Sequence, residues 1–141
     1  MTTEAAVYDA LKYHVKVDRY GPRRYYNSAG QLHRTDGPAV EHANGTKEWC
    51  QSGRLHREDG PAVVCENGRR EWFLNGVLHR TDGPAVEHGL ISREWWVNGK
   101  LHREDGPAVI LDNNCKAWWL NGRSYTKQEY LAALTDLGIA K

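Results

Sequence analysis

The chain has 141 residues, 40% hydrophobic and 26% charged, with 19 Lys plus Arg against 18 Asp plus Glu for a formal net charge of +1. That is one domain's worth of chain, able to bury a core without disulfides, and its charge balance excludes a global field that would draw it to nucleic acid or an anionic membrane. Three cysteines, Cys50, Cys65 and Cys115, give an odd count with no Cys-x-x-Cys spacing, which fits a reducing compartment and argues against a structural zinc site.

In chain order, residues 1–14 are expected to form a short N-terminal helix, about Thr3 to Tyr13. Glu4, Asp9 and Lys12 interrupt its apolar residues, so it does not read as a signal peptide. No run is long enough to span a bilayer. The expected setting is soluble and cytoplasmic, without membrane insertion.

Residues 15–124 read as a repeat array. Leu-His-Arg-(Thr/Glu)-Asp-Gly-Pro begins at Leu32, Leu55, Leu78 and Leu101, an interval of 23 residues. Each period holds two apolar runs and two turn signals, so each unit is expected to add two short antiparallel strands. One turn falls at Asn44-Gly45 and Asn67-Gly68, where a two-residue hairpin with positive φ is expected. The third and fourth units depart there, at Leu90-Ile91 and Asn113-Asn114, and should use different loops. The other turn is Ala29-Gly30, Ser52-Gly53, Asn75-Gly76, Asn98-Gly99 and Asn121-Gly122.

Residues 125–141 are expected to close the chain with a helix. Thr126 and Glu129 form a capping-box pattern, Tyr130, Leu131, Leu134 and Leu137 follow at helical spacing, and Gly138 stops it. The fold class is therefore mainly β: one domain, 1–141, built as an elongated antiparallel sheet of tandem 23-residue hairpins with short N- and C-terminal helices.

Aligned by the period, Tyr26, Trp49, Trp72, Trp95 and Trp118 form an aromatic column, with Leu74, Val97 and Leu120 two residues on. Burial of each ring is worth roughly 4–6 kcal/mol as an upper bound, so this column is expected to be the main stabilising element. Val40, Val63, Val86 and Val109 form a second column. The opposite face changes along the chain from Asn27 and Cys50 to Phe73, Trp96 and Trp119. Its apolar end needs a cover, and the C-terminal helix or a second copy in a homodimer would supply it.

A His, an Arg and an Asp within four residues suggest acid–base chemistry or a metal, but equivalent side chains two strands apart sit roughly 10 Å from one another. Two nitrogens on one zinc lie within about 4.2 Å, so His33, His56, His79 and His102 are not joint ligands. No metal or cofactor is expected. Asp36, Asp59, Asp82 and Asp105 fit a turn role, with the histidines and arginines bridging neighbouring units by hydrogen bonds. An enzyme is the weakest reading, because the same groups recur four times.

The leading function is a non-enzymatic module that binds another protein through the Phe73, Trp96 and Trp119 face. The runner-up is a polyanion, nucleic-acid or nucleotide binder using Arg24, Lys47, Arg70, Arg93 and Lys116 beside the aromatic column. The charge balance makes nucleic acid the less favoured partner.

The stretch Trp96-Val97-Asn98-Gly99-Lys100-Leu101-His102, with its counterpart from Phe73 to His79, resembles the aromatic-x-Asn-Gly-Lys-x-His segment of MORN repeats (membrane occupation and recognition nexus). After the histidine the pattern departs, with Arg-x-Asp-Gly-Pro in place of Gly-x-Gly. The chain is also similar to divergent repeats of uncharacterised bacterial, phage and giant-virus proteins. The resemblance implies a sheet of hairpins and a protein-interaction role as adaptor or inhibitor, directed at a host defence protein if the setting is a phage-infected cell.

Overall fold

The computed structural model describes the backbone of residues 5–9 and residues 13–139 in full. The chain divides into two compact units, Met1–Val77 and Leu78–Lys141. Both are antiparallel β-structure, as the hairpin periodicity predicts.

The first unit contains β1 (Ala5–Asp9), β2 (Tyr13–Val17), β3 (Arg23–Tyr26), β4 (Val40–Glu41), β5 (Lys47–Glu48), β6 (Cys50–Gln51), β7 (Arg54–Leu55), β8 (Val63–Val64), β9 (Arg70–Glu71) and β10 (Phe73–Leu74); β11 (Val77–Leu78) falls at the division. Its sheet runs β1-β2-β3-β4-β5-β8-β9, and β6 pairs with β7 in a separate hairpin. The second unit contains β12 (Val86–His88), β13 (Ser92–Glu94), β14 (Trp96–Val97), β15 (Lys100–Leu101), β16 (Val109–Leu111), β17 (Lys116–Leu120), β18 (Arg123–Tyr125) and α1 (Lys127–Asp136). There the sheet runs β12-β13-β16-β17-β18, with β14 and β15 as the separate hairpin.

Each period thus makes two hairpins rather than one, and the chain changes ladder at the aromatic residue. Trp49 shows how: its N–H donates to Ala62 O at 2.7 Å, while its carbonyl accepts from His56 N at 2.9 Å. One residue serves two ladders, which leaves it at the corner between them. The corner rings are half-buried. The deepest residues are instead the alanines of Gly-Pro-Ala-Val: Ala39, Ala62, Ala85 and Ala108 are 0% exposed. Val40, Val63 and Val86 are buried beside them and Val109 is half-buried. The valine column thus supplies core as expected, whereas the ladder of rings is less central than its area suggests.

The expected N-terminal helix is not formed where the chain is described. Residues 5–9 and 13–17 pair as antiparallel strands, Ala5 opposite Val17 and Asp9 opposite Tyr13. The rest of that expected helix, residues 3–4 and 10–12, lies outside the described residues. The reason is period: Tyr13 and Val15 are buried while His14 and Lys16 are less so, an alternation of two that suits a strand on β3. The expected opening strand at Val15 to Val17 is present, begun two residues earlier.

The aromatic column also shifts by one at its start. The turn after β3 has three loop residues, closed by Asn27 N–H to Gln31 O, whereas Ser52-Gly53 is a two-residue turn with φ of 51° and 80°. The extra residue puts Tyr25, 7% exposed, in the place that Trp49 occupies next, and Tyr26 packs on His14 instead. It likewise moves Arg23, not Arg24, into line with Lys47: Arg23 opposes Glu41 as Lys47 opposes Val64, one period later.

At the sheet hairpins the expected two-residue turn is replaced by three-residue loops. His42 N–H donates to Thr46 O and only Gly45 has positive φ, the signature of a type I turn with a bulge. The fourth hairpin keeps this loop with Asn114 at φ 59°, while the third places its positive φ earlier, at Gly89.

Helix α1 has the predicted capping box, Glu129 N–H to Thr126 Oγ1 and Thr126 N–H to Glu129 Oε2. It buries Tyr130 and Leu134 on Leu120, with Trp118, Tyr125 and Ala133 packed around them. The helix therefore covers the Trp118 and Leu120 side of β17, not the Trp119 side that was expected to need it. Among the described residues no helix is long and apolar enough to cross a membrane.

Burial of Cys50 pushes its thiol up to about 11. A thiol raised in the folded state adds stability below the unfolded value and loses it as pH climbs toward the folded one. Exposed Cys115 should therefore react with a disulfide reagent at once and Cys50 only on unfolding; immediate titration of all three thiols would contradict this.

Candidate functional site: the repeat joints

The His-Arg-x-Asp-Gly-Pro segments form one joint four times. In each, the arginine Nε donates to the aspartate two residues on: Arg34 to Asp36 and Arg57 to Asp59 at 3.0 Å, Arg80 to Asp82 and Arg103 to Asp105 at 2.8 Å. Its Nη1 donates to the proline carbonyl, at 3.2, 3.1, 3.0 and 3.0 Å to Pro38, Pro61, Pro84 and Pro107. The guanidinium of Arg34 lies 3.9 Å over Tyr25, that of Arg57 4.0 Å over Trp49 and that of Arg103 3.8 Å over Trp95.

This stack explains the glycine. A Cβ on Gly37, Gly60, Gly83 or Gly106 would sit 2.8–3.0 Å from the arginine Cζ. The arginine is held on three sides, so it cannot swing away at little cost. Glycine is required here for close approach, and its φ is ordinary.

The histidines join successive repeats. Nδ1 of His33, His56, His79 and His102 accepts from the backbone N–H of Ser52, Asn75, Asn98 and Asn121, at 2.9, 2.9, 2.9 and 3.0 Å. Each donor belongs to a residue with φ between 49° and 51°, the first position of the two-residue turn. A ring nitrogen that accepts carries no proton, so the hydrogen sits on Nε2. In the second and fourth repeats Nε2 faces Glu58 at 3.6 Å and Glu104 at 3.2 Å. In the first and third repeats those positions are threonine, and the extra carboxylate is on the arginine: Arg34 Nη1 to Glu41 at 3.3 Å, Arg80 Nη1 to Glu87 at 2.9 Å. The 46-residue alternation in the sequence is thus an exchange of which joint side chain meets the additional carboxylate, the arginine in the first and third repeats and the histidine in the second and fourth.

Two tyrosines from outside the Leu-His-Arg motif close the end joints. Tyr13 Oη accepts from Thr35 N–H at 2.9 Å and shares a hydrogen bond with its Oγ1 at 2.7 Å. Tyr130 Oη donates to Arg103 O at 2.7 Å and accepts from Gly106 N–H at 3.2 Å. Burial pushes the Tyr130 hydroxyl up.

The hydrogen bond from Arg103 holds the Asp105 carboxyl below the usual carboxylate range, and Arg80 does the same to Asp82. A carboxyl lowered in the folded state stabilises above its unfolded value and loses that contribution as pH falls through the folded one. Urea midpoints should therefore drop below about pH 4, and Asp105→Asn should flatten that acid limb. An unchanged acid limb would contradict the Arg103 bond.

Adjacent joints line open grooves of ≈ 730 Å³ between the first and second repeats and ≈ 650 Å³ between the third and fourth, with Trp49 or Trp95 and its stacked arginine in the lining. Among the described residues no group of three His, Cys, Asp or Glu is placed to hold a metal ion.

The residues read as a protein-binding face are less open than the sequence suggests. Phe73, Trp96 and Trp119 are half-buried, and Trp96 Nε1 donates to Glu94 at 2.8 Å. Lys47, Arg70, Arg93 and Lys116 are exposed, while half-buried Arg24 pairs with Asp18 at 3.5 Å. One open apolar surface that the column reading missed is a hairpin tip, Leu90 at 91% and Ile91 at 53% exposure, with Leu111 on the neighbouring strand at 40%; Leu131 and Leu137, expected on the packing stripe of the helix, are exposed too. The signal for the tip was two large apolar residues where the first two repeats have Asn-Gly.

Comparison with family models, with curated proteins and with solved structures returns no match to this chain.

Proposed function

We propose that this chain is a non-enzymatic protein-interaction module, an adaptor or inhibitor built from divergent MORN-like hairpin repeats. One observation carries the reading: in all four joints the His, Arg and Asp spend hydrogen-bonding capacity on the fold itself. What varies between repeats, and so can discriminate partners, is the outward surface: the Phe73, Trp96 and Trp119 column, the exposed Leu90 tip and the basic strand positions. The polyanion reading is less favoured, because stacking of bases needs open rings and the faces of Trp49 and Trp95 carry Arg57 and Arg103.

The test is affinity capture from a lysate of the encoding cell, comparing wild type with Trp96→Ala and Trp119→Ala variants of unchanged melting temperature. The reading expects a stoichiometric protein partner lost in at least one variant. Recovery of nuclease-sensitive material alone, or of no partner, would overturn it.

A further inference from the structure

The corrected strand register brings together a surface that the columns alone do not display. In the first unit Lys47 lies opposite Val64, and Val64 opposite Arg70. In the second, Arg93 lies opposite Ile110, and Ile110 opposite Lys116. Directly paired residues point to the same face of a sheet, so each unit carries a strip reading carboxylate, cation, aliphatic, cation: Glu41 stands opposite Lys47 and Glu87 opposite Arg93, and these two carboxylates are already engaged by Arg34 and Arg80 of the joints. The two strips are offset by 46 residues, the longer period of the array. All four cations are exposed and both aliphatic side chains are half-buried.

The opposite face has its own arrangement. There Glu48, Glu71 and Glu94 are each engaged locally, with His42, Arg69 and Trp96. The valine column packs on that side. The strips therefore lie on the face opposite the buried valines, with half-buried Val64 and Ile110 each between two exposed cations.

Two strand spacings separate the cations of one strip, about 10 Å. A helix rises about 10.5 Å in seven residues, and positions i, i+3, i+4 and i+7 share one face. We propose that each strip seats an acidic helical segment of a partner protein, with carboxylates at i and i+7 on the two cations and an aliphatic side chain between them on Val64 or Ile110. The proposal rests on the protein-interaction reading and names the partner's chemistry. A phosphate backbone complements the strip less well, since it offers nothing to the central aliphatic residue. A second copy complements it less well too: Glu129 and Asp136 of α1 are seven residues apart, but the i+3 and i+4 positions between them on that face are Ala132 and half-buried Ala133, while exposed Leu131 lies at i+2.

The test uses the full chain and a fluorescein-labelled, alanine-based helical peptide of about 18 residues with Glu at i and i+7 and Leu at i+3 and i+4. Anisotropy at about 20 mM salt should give a dissociation constant on the order of 10–100 μM, the range of a small contact. The four substitutions Lys47→Gln, Arg70→Gln, Arg93→Gln and Lys116→Gln together should weaken binding at least about tenfold without moving the melting temperature. The control Arg54→Gln/Lys100→Gln, which also removes exposed cations, should not. Three results overturn the proposal: no binding below about 1 mM, binding undiminished by the four substitutions, or tighter binding of an oligothymidylate than of the peptide. Self-association abolished by the same substitutions would overturn the partner assignment in favour of a second copy. If the peptide fails while a lysate partner is still lost with Trp96→Ala or Trp119→Ala, this inference alone falls.

Discussion

Tyr130→Ala should destabilise the C-terminal unit by about 3–5 kcal/mol, the range for deleting a buried aromatic ring. Tyr130 is 2% exposed and sits with Leu120 and Leu134 at the centre of the cluster that docks α1. Its hydroxyl also satisfies Arg103 O and Gly106 N–H at the last joint. Tyr130→Phe separates the two roles, since it keeps the ring and removes the hydroxyl, and should cost about 1–3 kcal/mol. Urea unfolding followed by tryptophan fluorescence measures both. Equal stability of Tyr130→Phe and wild type would mean that the end joint does not need its closing bond.

Ala85→Leu should cost about 1–3 kcal/mol or more, because the added atoms have no space to enter. Ala85 is 0% exposed, and its N–H donates to Glu94 O at 2.8 Å, which fixes its backbone in the ladder. Its equivalents Ala39, Ala62 and Ala108 are equally enclosed, so Ala39→Leu should report the same effect from the first unit. A Leu variant with wild-type unfolding would show that this alanine seam is looser than its burial indicates.

These two positions also mark what could be read in advance. The capping box at Thr126 and Glu129 is a local pattern with a local consequence, so it was legible. The hairpin array followed from a fixed period, whereas the glycine after each aspartate, read as part of a turn, sits in a bend where the arginine side chain leaves no room for a Cβ. The alanine seam was not legible: a small residue after Pro carries no hydrophobic signal, and its burial arises only when two ladders meet around it. Period alone could not place Tyr25 ahead of Tyr26, because one extra loop residue between Asn27 and Gln31 leaves every downstream motif unshifted. The N-terminal segment misled because its charges and apolar residues suit either period, and pairing with β3 decided the matter.

At the joints the residue types were legible and their partners were not. Asp-Gly-Pro alone suggests an aspartate bonded to backbone, whereas Asp59 and Asp105 bond the arginine two residues earlier. The arginine's reach over Trp49 or Trp95 depends on the chain turning a corner at that ring, a tertiary fact. The histidine link spans 19 residues, from His56 to Asn75 for example, and only the folded turn brings that N–H within reach of Nδ1.

The central claim is that the repeated His-Arg-x-Asp-Gly-Pro groups hold the fold rather than a ligand. Arg103→Lys tests it most directly, because lysine keeps the charge but lacks the planar fork that reaches Asp105, Pro107 O and the Trp95 face together. Urea unfolding at neutral pH should show a loss of about 1–2 kcal/mol, the scale of a charge-assisted bond and a stacked cation lost together. An Arg103→Lys chain that unfolds at the wild-type urea concentration, or above it, would contradict the account and return the arginine to the list of candidate ligand-binding groups.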